Sequence, residues 1–121
     1  MKNYKELDAW KMAMNLVVEV YKVAKNYPKE ETYALTSQSK RASVSVAANI
    51  AEGIGRQYKK DTLQFLHISR GSLYELETLL LIALQLQMLS KENFDALNIL
   101  LERSLQVLNG LINYYEKSDL K

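Results

Sequence analysis

The sequence predicts an all-α fold, an antiparallel up-down-up-down four-helix bundle, from three observations. Proline and glycine, which most often interrupt helices, occur only one and four times in 121 residues. Apolar residues in the segments between them recur at steps of three and four, the helical period. No segment alternates apolar and polar residues for long enough to predict a strand. Four helices of about 20–29 residues with short connections are typical of such a bundle, and the length fits a single domain over residues 1–121.

Helix 1 is predicted over residues 7–26. Pro28 ends it, because its ring disfavours helical backbone in the preceding residue and it has no N–H to donate. A stripe of apolar residues at steps of three and four is expected to face the core. Its members are Leu7, Trp10, Met14, Val17, Tyr21 and Ala24.

Helix 2 is predicted over residues 31–54. Carboxylates at Glu30 and Glu31 favour the positive end of a helix. Gly53 and Gly55 fit its end, because glycine takes the left-handed cap conformation without strain.

One line of helix 2 carries small and amide side chains where leucines would be expected in a bundle. Its members, at steps of four and three, are Gln38, Ala42, Ser45, Asn49 and Gly53. In one interpretation the line packs closely against another helix, with its amides hydrogen-bonded inside the bundle. In the other it lines a polar groove for a ligand.

Helices 3 and 4 are predicted over residues 60–88 and 91–116. Leu66, Leu73 and Leu80 form one heptad stripe of helix 3, with Leu76 and Ala83 beside it. Ser90 is a suitable N-cap for helix 4. The apolar residues of helix 4 that step by threes and fours are Phe94, Leu97, Leu101, Leu105, Leu108, Ile112 and Tyr115.

Both of these helices have more apolar surface than one bundle seam requires. A helix that is apolar nearly all round is buried on more than one side, and a bundle of 121 residues has only another subunit to cover the second side. We therefore expect a homo-oligomer. The residues that carry the excess are Leu79, Leu80, Leu81, Ile82, Leu84 and Leu86 in helix 3 and Ile99, Leu100 and Leu101 in helix 4.

The composition argues against catalysis, metals and cofactors. Without cysteine there are no disulfides and no thiolate nucleophiles or metal ligands, which fits a reducing compartment. The one histidine, His67, has Gln64 three residues earlier, so the Glu-x-x-His pair of di-iron bundles is missing. Glu75 and Glu77 point about 200° apart on a helix and cannot share a substrate. We expect no enzyme activity, no catalytic residues, no metal and no cofactor.

Neither export nor membrane insertion is expected. Residues 1–11 are charged and lack the apolar stretch of an export signal. The longest apolar segment, residues 79–89, covers about half a bilayer and contains Gln85 and Gln87. These features predict a cytoplasmic protein.

Charge is uneven along the chain. Residues 1–60 hold eleven basic and six acidic side chains, whereas residues 61–121 hold five and eight, so a net charge of +2 conceals a basic first half. Basic residues around an aromatic neutralise phosphates and stack a base in nucleic-acid sites; the plain alternative is a solvated helix surface. The first candidates for nucleic-acid binding are Lys40, Arg41, Arg56, Tyr58, Lys59 and Lys60, and the second are Lys11, Lys22, Lys25 and Lys29.

Two segments resemble a known family. Residues 38–53, QSKRASVSVAANIAEG, followed by Arg56, and residues 65–77, FLHISRGSLYELE, are similar to signatures of the 23S rRNA intervening-sequence proteins. Leu7 and Trp10 match the family's Leu-x-x-Trp start. Ser69 stands where the family usually has alanine. The motif positions expected to have a structural role are Gln38, Arg41, Ser45, Asn49, Glu52, Gly53, Arg70, Gly71, Ser72 and Glu75.

The resemblance implies a bacterial four-helix bundle that assembles as a ring of five. It also implies a relation to the accessory protein of diversity-generating retroelements, in which a basic surface engages RNA and reverse transcriptase. The label of ribosomal protein given to such proteins reflects genes inside rRNA insertions. We expect a homopentamer that binds structured RNA or DNA through phosphates, with a protein-interaction scaffold without nucleic acid as the alternative. Among Arg41, Glu52, Arg70 and Glu77, we expect ion pairs between helices.

Overall fold

Four antiparallel helices make up most of residues 3–121, the part of the chain that the computed structural model describes. They are α1 (Asp8–Ala24), α2 (Leu35–Ile54), α3 (Lys59–Gln85) and α4 (Lys91–Lys117). Each helix packs on the next, and α4 closes on α1. Within residues 3–121 the diagonal pairs, α1 with α3 and α2 with α4, do not pack together. The predicted four-helix bundle is confirmed.

The end of α2 at Ile54 and the start of α4 at Lys91 are as predicted, and the other helix ends differ from the predicted ones by one to four residues. Helix α2 begins at Leu35, after a 3-10 turn over Lys29–Glu31, because the backbone of Ala34 leaves the helical region at φ −123° and ψ −105°. The Glu31 carboxylate still interacts with the start of α2, because it accepts a hydrogen bond from the Leu35 N–H at 3.3 Å. Ser90 caps α4 by accepting the Asn93 N–H at 3.0 Å.

Glycine does not supply the left-handed cap that the sequence led us to expect. Helix α2 ends on Gly55 with a right-handed φ of −79°. The one positive φ in residues 3–121 belongs to Gln87, at 61°, just after α3. This turn lets the N–H groups of Met88 and Leu89 both donate to the Ala83 carbonyl, and it ends α3 at Gln85, before the predicted residue 88.

The core combines apolar faces of all four helices. The predicted stripes of α3 and α4 are confirmed, since Leu66, Leu73, Leu80, Leu101 and Leu108 are at most 1% exposed. The stripe predicted for α1 is confirmed at Ala24, but over most of the helix the buried residues lie one position before the predicted ones. The residues of α1 that are buried are Ala9, Ala13, Leu16, Val20 and Ala24.

Small alanine side chains explain the displacement in α1. Ala9 and Ala13 let the neighbouring helices approach, so the larger side chains of the predicted stripe lie beside the core. Trp10 and Val17 are half-buried against it, and Met14 and Tyr21 are exposed. The periodicity was therefore helical, but the largest residues do not mark the buried face.

The α2–α3 contact is built from hydroxyl groups and one glycine. Thr62 Oγ1 donates to the Gly53 carbonyl and Ser69 Oγ to the Val46 carbonyl, each at 2.8 Å. Ser45 Oγ and Ser72 Oγ are also 2.8 Å apart. These bonds join the two helices along several turns.

At Gly53 the two helices are too close to leave room for a side chain. A Cβ placed on Gly53 would lie 2.9 Å from Phe65 Cβ and 3.2 Å from the Thr62 carbonyl oxygen. The line of small residues on α2 thus serves helix packing at Gly53 and Ser45. Asn49 donates back to Ser45, at 2.8 Å to its carbonyl and 2.9 Å to its hydroxyl, and Gln38 is exposed.

No helix within residues 3–121 combines the length and the hydropathy that crossing a membrane requires.

We predict that Gly53→Ala lowers the free energy of unfolding by about 1–3 kcal/mol, because α3 must move away from the new methyl group. Gly110→Ala is the matched control, since a Cβ there meets nothing within 4 Å in the same kind of helical backbone. It should raise stability by about 0.5–1 kcal/mol. Urea denaturation measures both, and equal effects of the two substitutions would contradict this account of the α2–α3 contact.

A second pair of variants separates bonded from unbonded hydroxyls. Ser69 and Ser39 are both fully buried, but only the Ser69 hydroxyl has a hydrogen-bond partner in the described part of the chain. Ser69→Ala should cost about 1 kcal/mol, whereas Ser39→Ala should leave stability unchanged or raise it. Thermal unfolding of the two variants checks the order, and a larger loss at Ser39 would be inconsistent with it.

Candidate nucleic-acid interface

One end of the bundle brings together part of the predicted basic set. The start of α1, the end of α2, the start of α3 and the end of α4 meet there; we call it the basic end. Arg56, Tyr58, Lys59 and Lys60 all lie at this end, because they occupy the short α2–α3 connection and the first turn of α3. All but the half-buried Lys59 are exposed.

Most of the remaining candidates lie elsewhere. Lys22, Lys25 and Lys29 are at the far end, because they lie at or beyond the end of α1, about 25 Å from its start by the rise of a 17-residue helix. Lys22 pairs with Glu19 at 3.1 Å. Lys40 is half-buried with its ammonium 4.9 Å from the Tyr21 ring centroid.

Two further candidates are exposed. Arg41 lies in the half of α2 away from the basic end, whereas Lys11, in the first turn of α1, lies at the basic end but lines neither of its concavities. The ten candidates therefore do not form one continuous surface.

The basic end contains a pocket of about 520 Å³. Its floor is apolar and includes Leu7, Ile54 and Leu111. Three tyrosines and three basic residues complete most of the wall: Tyr58, Tyr114, Tyr115, Arg56, Lys59 and Lys121.

A shallower depression adjoins the pocket and shares Lys59, Leu120 and Lys121 with it. Lys60 and His67 line this second depression. No acidic side chain lines either concavity among the described residues. The two together form a basic and aromatic surface without an acidic side chain in its lining among the described residues.

Several groups of this surface are held in place. The Arg56 guanidinium lies 4.5 Å from the Phe65 ring centroid and 3.9 Å from the Glu52 carboxylate. Lys59 Nζ donates to the Ser118 carbonyl at 3.1 Å, which fixes the segment after α4 against the start of α3. An ammonium group has three donors, so two of those on Lys59 are left for other acceptors.

Two features of this end bear on anion binding, although Asp8 and Asp61 lie in the first turns of α1 and α3 beside the basic residues. Tyr58 precedes α3 without a side-chain cap, so the positive end of the helix dipole lies beside Lys59 and Lys60. Burial, and to a smaller extent the neighbouring Tyr114, raise the pKa of Tyr115. Tyr115 therefore stays neutral at physiological pH and does not repel a phosphate.

Sequence reasoning missed the part of the pocket that comes from the chain terminus. Tyr114, Tyr115 and Lys121 are about 55 residues from Tyr58 or more. A signal did exist, because in an up-down bundle the end of the fourth helix meets the second connection. A pair of tyrosines at that position, one of them 63% exposed, is the feature that could have been noted.

The other chemical candidates are dispersed. His67 and Glu75 are exposed and Glu77 is half-buried. Within residues 3–121, no three histidine, aspartate or glutamate side chains are grouped so that they could hold a metal ion.

Comparison with known proteins identifies the family. The sequence profile described as 23S rRNA-intervening sequence protein matches residues 5–110. The chain belongs to the 23S rRNA intervening-sequence protein family. This confirms the resemblance of the segments at residues 38–53 and 65–77.

Among solved structures, the chain is similar to a protein of unknown function from the S23 ribosomal protein family of Bacteroides thetaiotaomicron. The two share 20% sequence identity and superpose with a TM-score of 0.80, over 87% of this chain and 95% of that one. At that identity the likeness establishes the fold alone. No curated protein matches the sequence.

The residues of the family motif lie in two kinds of place. Ser45, Asn49, Gly53 and Ser72 belong to the α2–α3 contact described above. The rest are on or near the surface. Gln38, Arg41 and Glu75 line an open polar groove of about 360 Å³, Glu52 and Gly71 are exposed, and Arg70 is half-buried.

The expected ion pairs between helices are not formed in residues 3–121. Arg70 instead donates to the Asn109 side chain of α4 at 2.9 Å, so a neutral amide takes the place of a carboxylate. Glu52 pairs with Arg56, which lies only four residues later in the sequence, at the long distance of 3.9 Å. Burying few charges avoids the desolvation that a pair inside the bundle would require.

Proposed function

We propose that this chain is a non-enzymatic, cytoplasmic, ring-forming bundle that binds structured RNA or DNA by phosphate contacts at its basic end. The observation that supports it is the grouping of Arg56, Lys59, Lys60 and Lys121 with three tyrosines, without an acidic residue in the lining. Phosphate neutralisation is the role of the four basic side chains. Tyr58 stacks on a base at the edge of the site.

A single copy of this site is small. Four basic side chains engage at most a few phosphates, and nucleic-acid affinity of that kind is electrostatic and depends on salt. Several copies on one assembly act together, because the first contact raises the effective concentration for the next. Oligomerisation therefore belongs to the proposed function.

Two separate apolar patches support a ring. One lies on the outside of α1 and α2, and the other on the outside of α3, the helix diagonal to α1. A pair related by a two-fold axis would use a single patch twice, whereas two different patches that meet head to tail build a ring when the rotation closes. The exposed members are Met14, Val18, Tyr21 and Val44 in the first patch and Tyr74, Leu81, Ile82 and Leu86 in the second.

The number of copies in the proposed ring is five, as the resemblance to the family implies. A ring places five basic ends in one arrangement. The modest net charge of +2 per chain then becomes several clusters of positive charge at fixed positions.

The head-to-tail arrangement predicts a specific result for paired variants. Val18→Glu and Ile82→Glu each place a carboxylate in one of the two patches and so prevent that patch from forming the interface. Each variant alone should therefore be a monomer of 13.9 kDa by light scattering. Mixed together, they retain one intact interface between them and should form a heterodimer that grows no further. A wild-type chain that is itself monomeric, or two variants that do not associate when mixed, would contradict the ring.

Binding to an RNA hairpin should weaken with salt by about 0.9 in log–log slope for each phosphate contact. The double variant Arg56→Ala, Lys60→Ala should lose affinity and show a slope smaller by up to about two contacts. Lys91→Ala is the control, because Lys91 lies at the far end and pairs with Asp95. Binding that does not depend on salt, or equal losses in both proteins, would contradict the proposal.

The alternative is an oligomeric scaffold for another protein, whose marker is an apolar patch left exposed after assembly. Purification of the assembly from cells with and without nuclease treatment distinguishes the two functions. Nucleic acid that co-purifies and is lost on treatment supports the proposal. An assembly without nucleic acid that still exposes one of the two patches favours the scaffold.

A further inference from the structure

We propose that the 520 Å³ pocket of the basic end is a subsite for one unpaired nucleotide of the bound strand, whose base enters between the tyrosines while its phosphates stay on the basic rim. This inference rests on the function proposed above and adds a preference for unpaired over paired nucleic acid. Its basis is the pocket, the tyrosines from α4 and the charge of the lining.

The size of the pocket suits a single base. Small-molecule sites enclose about 300–1,000 Å³, and a volume of about 520 Å³ lies within this range. A base in a duplex can enter such a pocket only after it unpairs and leaves the base stack, which costs free energy. An unpaired base enters without the cost of unpairing. The pocket therefore favours an unpaired nucleotide over a base-paired one.

Aromatic side chains from two different elements line the pocket. Tyr114 is 63% exposed, yet its ring is held against Tyr115 in an edge-to-face contact at 5.3 Å and 87°. Tyr58, at 55% exposed, lines the pocket from the α3 side. Aromatic rings of this kind stack on bases with little sequence preference, because every base has a π-face.

The rim matches the phosphates on either side of that base. Arg56, Lys59 and Lys121 line the pocket, and no aspartate or glutamate does so among the described residues. An acidic peptide would satisfy the charge but would leave the tyrosines and the apolar floor without a planar partner. A nucleotide satisfies both, since it joins a flat ring to an anion.

The test compares single-stranded and paired nucleic acid on the same variants. Dissociation constants are measured by fluorescence anisotropy for a 12-nucleotide single strand and a blunt duplex of equal length, at several salt concentrations. Tyr114→Ala should weaken single-strand binding about tenfold, as expected for the loss of one stacked base. Duplex affinity and the salt slope should stay unchanged, because Tyr114 has no charge.

Two control variants accompany it. Tyr114→Phe keeps the ring and should bind the single strand like wild type. Tyr33→Ala removes a tyrosine that is 97% exposed at the far end and should also bind like wild type. A 2-aminopurine in the strand should be quenched on binding to wild type and less on binding to Tyr114→Ala.

The outcomes are distinct. The subsite is disproved if Tyr114→Ala binds the single strand as wild type does, if it loses duplex affinity to the same extent, or if polyglutamate competes as well as the oligonucleotide. In the first two cases, duplex binding that still weakens with salt leaves the proposed function standing. Absence of binding to either nucleic acid at low salt overturns both.

Discussion

The close contact between α2 and α3 is the constraint on which the rest of the structure depends. Gly53 lets the two backbones approach, and Thr62 and Ser69 donate hydrogen bonds to carbonyl groups of α2. Because the carbonyl that Thr62 reaches is that of Gly53, the bond spans the connection between the helices. Arg56 and Tyr58 lie in this connection and so have a defined position relative to the bundle.

The same contact explains why the basic end is concave. Helix α2 stops at Ile54, and α3 begins at Lys59, so only four residues cross between them. The end of α4 lies beside this short connection, and its tyrosines line the same pocket as Tyr58. The hydrogen bond from Lys59 to the Ser118 carbonyl joins the two sides.

The fold and the local part of the site could be predicted from the sequence. The helical period, the Ser90 cap and the leucine stripes are set by residues close to each other in one helix. These signals therefore placed α3 and α4 correctly. Arg56, Tyr58, Lys59 and Lys60 lie together because they are adjacent in sequence. Lys22 and Lys40 carry the same charge, but the path of the chain places them elsewhere.

The remainder depended on tertiary contacts. The buried face of α1 was misplaced because Ala9 and Ala13 lie in the core. These side chains are buried because their small size lets the neighbouring helices approach, and not because they are strongly hydrophobic. The glycine cap was wrong because Gly53 is required for close packing with Phe65 and not for a left-handed backbone. Tyr114 and Tyr115 were missed because only the closed bundle brings the end of α4 to the second connection.

Charge and assembly are linked in this account. A net charge of +2 gives a single chain little attraction for a polyanion, and the basic side chains are spread over both ends of the bundle. What distinguishes the basic end is that basic and aromatic side chains line its concavities together, without an acidic side chain in the lining among the described residues. In the proposed ring, contacts between the two apolar patches repeat that end around the assembly.

The most direct measurement is lysine footprinting of the assembly with and without a bound RNA hairpin, read by mass spectrometry after brief acetylation. The account predicts that Lys59, Lys60 and Lys121 become protected while Lys25, Lys29 and Lys91 react as before. Equal protection at both ends, or protection confined to the far end, would contradict the assignment of the nucleic-acid interface to the basic end.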